Sequence, residues 1–337
     1  MKNKKPLKPK INIILTAMSL ILFLFSVGLL ANEYIIKPMK SKAVIEESKE
    51  LYHPVTETES DTVTDSPNVI TTESEDRAVP EEISDFDESG RLKEFSDLLK
   101  VNSDVKGWIR IPGTNIDYPV LQSSKDDPEY YLTRNLYKET DKMGSIFIDI
   151  NSSVEEKTRN LVLHGHNMTS TDNMFHYLLK YDNIEYYKEH PLIEFNTIYE
   201  KGMWKIISVF KANANITEDF FNYTKAAFAD DADYLEFIYK LRVRSLYSLP
   251  VDINEKDSVI TLSTCSYELD NYRTVIVARK VREGETDIVD VEQAVKNPSV
   301  LYPANWYDNY GGTPPVITNF ADALKKSEIN WYKASDE

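Results

Sequence analysis

Eight short runs rich in β-branched and aromatic residues, separated by Gly, Pro, Asn and Asp, occupy the middle of this chain: 108–111, 117–121, 145–148, 160–165, 192–196, 204–212, 258–265 and 273–281. Many short strands with few helices between them predict a mainly β fold, closed as a barrel or packed as a sandwich, rather than a parallel α/β sheet. Two helical insertions interrupt the series. One surrounds 173–181, with Phe175, Leu178 and Leu179 on one side; the longer runs over 229–246, where Tyr234, Phe237, Ile238 and Leu241 recur at helical spacing. Both are expected to pack against the barrel wall. Ahead of the first strand, Ser89 is placed to cap a short helix whose apolar face is Leu92, Phe95, Leu98 and Leu99.

The N-terminal region decides the compartment. Lys2, Lys4, Lys5, Lys8 and Lys10 precede an apolar run over 11–31 that carries no charge. At about 1.5 Å per residue such a helix spans roughly 30 Å, the thickness of a hydrocarbon core. A cleaved signal sequence would have a shorter apolar core and a small-residue cleavage site. Here the run continues into Asn32, Glu33 and Tyr34. The expectation is therefore a cytoplasmic tail over 1–10, a transmembrane helix over 11–31 and an extracellular remainder, oriented by the lysines before the span.

Charge divides the rest. Residues 1–42 carry eight lysines and one glutamate, a net of +7, whereas 43–90 carry fifteen acidic residues against Lys49 and Arg77, a net of −13. The whole chain stands at −16. A polyanionic exported chain argues against nucleic acid as a partner, because phosphate binding needs clustered Lys and Arg. The acidic stretch is rich in Thr and Ser and nearly free of aromatics, so it reads as a disordered, solvated spacer over 32–89. A folded domain follows over 90–285. Residues 286–337 form a C-terminal extension of different character, in which Asn-Trp-Tyr occurs at 305–307 and again at 330–332. Exposed Trp-Tyr pairs could mark a docking surface, but folding back onto the barrel is the simpler expectation.

One cysteine, Cys265, serves the whole chain, which excludes an internal disulfide framework. It ends the seventh run, Thr261-Leu262-Ser263-Thr264-Cys265, and a polar loop follows it. Alternation puts Val259, Thr261 and Ser263 on its face. Arg273 opens the eighth run, and an antiparallel hairpin would bring it beside Cys265 at the barrel mouth. A guanidinium there can hold a substrate carbonyl or a developing oxyanion. His166 falls just past the end of the fourth run, in His164-Gly165-His166-Asn167-Met168. An attacking thiol must lose a proton and a leaving amine must gain one, and one imidazole can do both. The alternative, His164 and His166 as metal ligands, lacks a third ligand at a recognisable spacing, His176 and His190 being the candidates. No cofactor and no metal is expected.

These segments resemble the sortases. Gly165-His166-Asn167-Met168, the Thr-Leu-Ser-Thr-Cys run and Arg273 match the family signature in order and spacing. Gly107-Trp108-Ile109, Ile116-Asp117-Tyr118-Pro119-Val120, Tyr130-Tyr131-Leu132 and Gly144-Ser145-Ile146-Phe147 are similar to the class B branch, as is the helical insertion between the sixth and seventh strands. The resemblance spans roughly 90–282. It implies an eight-stranded sortase-type β-barrel behind one transmembrane helix, and a membrane-anchored cysteine transpeptidase of Gram-positive bacteria. Cys265 would be the nucleophile, His166 the general acid/base and Arg273 the substrate and oxyanion contact. The implied partners are secreted proteins bearing a C-terminal sorting signal and an amine from a cell-wall precursor or a pilin. A purely hydrolytic cysteine endopeptidase and a non-catalytic surface binding module are the competing readings. The extension over 286–337 departs from the barrel pattern.

Overall fold

The computed structural model describes residues 9–52, 85–169, 171–217 and 219–335. The chain forms two compact units, 1–47 and 48–337. In the first, helix α1 (Pro9–Ala31) is long and apolar enough to cross a membrane, and Ile13, Leu22 and Phe25 among others stand exposed on it. A π-helical turn (Asn32–Ile36) joins it to α2 (Lys37–Tyr52).

This helix corrects the start of the spacer. Residues 32–52 were expected to be solvated coil and are helical throughout. They are acidic only in part; Lys, Glu, Ala, Met and Leu are all good helix formers. Pro38 does not break the helix, because the wider π turn directly before it accommodates a residue that lacks an N–H and crowds the preceding turn. Tyr52, the last residue of α2, belongs to the second unit. It is buried, stacks on Trp108 at 4.4 Å between ring centroids, donates to Glu94 at 3.0 Å and accepts from Asn196 Nδ2 at 3.0 Å. The acidic segment over 53–84 lies outside the described residues.

The second unit is built on a closed barrel of eight strands, within a residue or three of the eight runs read from the sequence. They are β1 (Val105–Arg110), β2 (Asp117–Gln122), β3 (Ile146–Ile148), β4 (Asn160–His164), β5 (Leu192–Thr197), β6 (Met203–Asn213), β7 (Val259–Cys265) and β8 (Tyr272–Lys280). Around the barrel they run β1-β2-β3-β4-β7-β8-β6-β5, with β5 closing on β1. The β2/β3 and β4/β7 pairs are parallel and the others antiparallel.

The short helix before β1 begins differently from expectation. A 3₁₀ turn (Lys93–Phe95) leads into α3 (Ser96–Val101), and Ser89 is not its cap. The Ser89 N–H instead donates to the Asp87 carboxylate at 2.8 Å, closing a turn two residues long that competes with capping. The first insertion is a 3₁₀ segment (His176–Asp182) followed by α4 (Ile184–Glu189). The second is α5 (Asp231–Arg244), capped by the Asp230 carboxylate on Asp233 N–H, with acidic residues in its first turn and arginines in its last. Tyr234, Phe237, Ile238 and Leu241 of α5 are buried together with Val259, Val275 and Val277.

The extension folds back. Its segment Val295–Lys296 pairs with Tyr247–Ser248, and helices α6 (Ala304–Tyr310) and α7 (Phe320–Lys325) follow. Phe320 joins the core under α5, Tyr332 meets it edge-on at 5.3 Å, and Ile253 donates its N–H to Trp331 O at 3.0 Å. The second Asn-Trp-Tyr triplet is thus spent on the core rather than offered to a partner.

Candidate active site

The register of three strands assembles the site. In the β7/β8 hairpin Cys265 lies directly opposite Arg273. In the parallel β4/β7 pair Ser263 lies opposite His164, the last pair of the register, and Cys265 and His166 each follow two residues further on. Parity agrees. Thr261 donates to Asn160 Oδ1 at 2.7 Å, so that face of β7 matches the face of β4 that carries Asn160 and His164.

That face is the outer one. Val259, Val275 and Val277 share it and pack against α5, and a helix cannot lie inside a barrel of eight strands. Cys265 and Arg273 were expected at the barrel mouth. They sit instead on the outer wall where its strands end, in continuity with the apolar seat of α5. Glycine 165 marks the tight spot between them and the interior: a Cβ there would come within 2.4 Å of Ile146 and 2.8 Å of the Phe175 ring.

Cys265 is a free, partly exposed thiol. His166 Nε2 lies 2.8 Å from the carbonyl of Leu132. A carbonyl only accepts, so Nε2 carries the proton and Nδ1 is left as the basic nitrogen of the neutral ring. Arg273 donates from Nη1 to Tyr272 O at 3.0 Å, which fixes one edge of its guanidinium. The strand register thus brings Cys265 and Arg273 together and leaves His166 two residues past the end of the β4/β7 pairing.

His164, the other half of the candidate metal pair, is engaged elsewhere. Its Nε2 lies 3.0 Å from Asp149 Oδ2. Burial would raise the Asp149 carboxyl, but hydrogen bonds from His164 and from the Asn151 N–H hold it below its ordinary value. His190 Nδ1 meets Pro112 O at 2.9 Å, and His176 meets Asn167 and Asp172.

Other residues join the site that the motif reading did not single out. Tyr223, from the segment between β6 and α5, shares a hydrogen bond of 3.0 Å with Ser263 Oγ, and burial raises its phenol. No local pattern marks Tyr223, because a long loop brings it there. The loop after Cys265 is anchored by Glu268, whose carboxylate accepts from the buried Lys211 at 2.7 Å. Lys211 also donates to Thr274 beside Arg273 at 2.9 Å. The extension reaches the same loop: Tyr310 donates to Glu268 O at 3.0 Å, and Tyr272 donates to Asn305 Oδ1 at 2.6 Å.

A closed eight-stranded barrel that presents a cysteine, a histidine and an arginine from β7, the end of β4 and β8 defines a class, and comparison with known proteins identifies it. The sortase domain model matches residues 109–281. Sortase B of Staphylococcus aureus is 33% identical over 191 residues, covering 56% of this chain and 75% of that protein. Sortase B of Listeria monocytogenes is 37% identical over 177 residues, covering 52% and 69%. A solved complex of Staphylococcus aureus sortase B with a substrate superposes with a TM-score of 0.58 at 25% identity, covering 73% of this chain and 99% of that one. The chain belongs to the sortase family, in its class B branch, and is a cysteine transpeptidase.

Proposed function

We propose that Cys265 is the nucleophile, His166 the general acid/base and Arg273 the substrate and oxyanion contact of a membrane-anchored, extracellular transpeptidase. The observation that supports this reading is the register, in which Cys265 lies opposite Arg273 and the neighbouring β4/β7 pairing ends two residues before Cys265 and His166. The thiol gives its proton to His166 Nδ1, and sulfur attacks the threonine carbonyl of a C-terminal sorting signal on a secreted protein. The Arg273 guanidinium faces the oxygen on which charge develops. As the carbon–nitrogen bond breaks, His166 returns the proton to the leaving amine and a thioester on Cys265 remains. An amine of a cell-wall precursor or a pilin then attacks that thioester, loses its proton to His166, and forms an amide as the thiolate leaves.

Helix α1 supports a single membrane span, and the five lysines before it support a cytoplasmic N-terminus with the barrel outside. No part of the scheme needs a metal, so turnover should survive a chelator and be lost to a thiol alkylator. The deciding experiment incubates the protein with sorting-signal peptides of different sequence, with and without an amine acceptor, and follows Cys265 by mass spectrometry. A thioacyl adduct on Cys265 that converts to an amide product supports transpeptidation. Acid product alone, whatever the amine, would make the chain a hydrolase, and no adduct would overturn the nucleophile.

A further inference from the structure

The backbone ladder between β4 and β7 stops just short of the residues proposed to react. Its last rung is the Gly165 N–H donating to Ser263 O at 3.2 Å. In a parallel pair these bonds recur every second residue, so the next would run from the Asn167 N–H to Cys265 O. That bond is replaced. Asn167 has turned away to pair with Met174 in a two-stranded ribbon (Asn167–Met168 with Asn173–Met174), and its side chain supplies the missing rung, Nδ2 to Cys265 O at 3.0 Å.

The amide can point only one way. Cys265 O accepts and cannot donate, so Nδ2 faces it and Oδ1 faces the other direction. There His176 Nδ1 lies 2.6 Å away, and because Oδ1 also only accepts, Nδ1 carries the proton. The far nitrogen of the ring, Nε2, lies 3.2 Å from the Asp172 carboxylate, an acceptor as well, so that contact attracts the ring when both nitrogens carry a proton. Asn167 is buried and the neighbouring His166 carbonyl is tied down by the Phe175 N–H at 2.9 Å. One side chain thus links the loop that carries His166 to the strand end that carries Cys265.

We propose that Asn167, oriented by His176, is a positioning residue that sets Cys265 against His166. The proposal rests on the reading of Cys265 as nucleophile. Without the link, the last bond between the two segments is Thr264 Oγ1 donating to Gly165 O at 2.8 Å, one residue short of both Cys265 and His166, and the two reacting residues can drift apart. Displacements of about 1 Å at a reacting centre cost on the order of 100-fold in rate.

The test uses the full chain in detergent with a sorting-signal peptide, reading kcat and KM separately and melting temperature alongside. Asn167→Ala and His176→Ala should each lower kcat by roughly 10- to 100-fold with KM nearly unchanged. His176→Asn, whose amide can place a donor where Nδ1 stood, should recover most of the loss. The double variant should be no slower than Asn167→Ala alone, because both act through one link. Wild-type kcat in Asn167→Ala, or additive losses in the double variant, would overturn the proposal. So would equal losses in His176→Asn and His176→Ala that merely track melting temperature. A wild-type protein that forms no adduct on Cys265 would instead remove the nucleophile reading on which the proposal stands.

Discussion

Two arginines share one face of β8, and the structure assigns them opposite consequences. Arg279 is wholly buried, and its Nη1 and Nη2 each bond one oxygen of Glu285 at 2.7 Å, with Lys280 O accepting at 2.9 Å. Glu285 also accepts from Lys205 at 2.6 Å. The buried fork makes Arg279 a residue of stability. Removing one partner of such a pair typically costs about 3–5 kcal/mol, since the other is left uncompensated. For a unit of this size each kcal/mol moves the midpoint by roughly 2–4 °C, so the fall should be on the order of 10 °C. Arg279 is six residues beyond Arg273, roughly 20 Å along the strand, too far to reach the thiol. Below its lowered midpoint the variant should therefore keep kcat and KM. Arg273→Ala should do the reverse, losing about 10²–10³ in kcat, as for one oxyanion donor, at an unchanged midpoint. Arg273→Lys should rescue only in part, because a point charge lacks the guanidinium fork. Thermal unfolding and steady-state kinetics on the three variants decide it. An Arg279→Ala protein that is stable but inactive would refute both the ion-pair argument and the choice of arginine.

Other expectations follow from the same contacts. Burial would raise the Glu285 carboxyl, but hydrogen bonds from Arg279 and Lys205 hold it far below its ordinary value of 4.5. A depressed carboxylate contributes stability above its unfolded value and loses it as pH falls, so the wild-type midpoint should drop steeply below about pH 4.5, and Glu285→Gln should flatten that slope. Cys265→Ala should abolish turnover with an unchanged circular dichroism spectrum, and Cys265→Ser should be nearly inactive because a hydroxyl is much harder to ionise than a thiol; retained turnover in either would exclude the nucleophile. Tyr52→Ala should lower the melting point by roughly 10 °C, as expected for losing a buried aromatic worth about 3–5 kcal/mol, and a chain begun at residue 90 should melt earlier than one begun at 48. Ending the chain at residue 286 should uncover the core beneath Phe320 and lower the midpoint in unfolding scans, which an extension that merely rests on the surface would not do.

The strands and the three candidate site residues were legible in the sequence because their signals are local. Runs rich in β-branched and aromatic residues between Gly, Pro, Asn and Asp mark β1 to β8, and a cysteine and an arginine at facing ends of one hairpin need only a short turn to meet. The uncharged run that became α1 is likewise local, as length and hydrophobicity alone define it. What escaped depends on contacts between distant segments. Only the closed barrel decides which face of β7 is outer, since alternation assigns two faces without naming the one that meets α5. Tyr52 reads as part of a charged stretch until Trp108 is placed beneath it, and nothing near Arg279 in the chain shows that its fork and Lys205 will share Glu285. Asn167 stood inside the motif, yet its link to Cys265 arises because a parallel ladder between residues about a hundred positions apart ends one rung early. Burial and hydrogen-bond satisfaction belong to the packed whole, and pattern along the chain cannot encode which far segment will supply a partner.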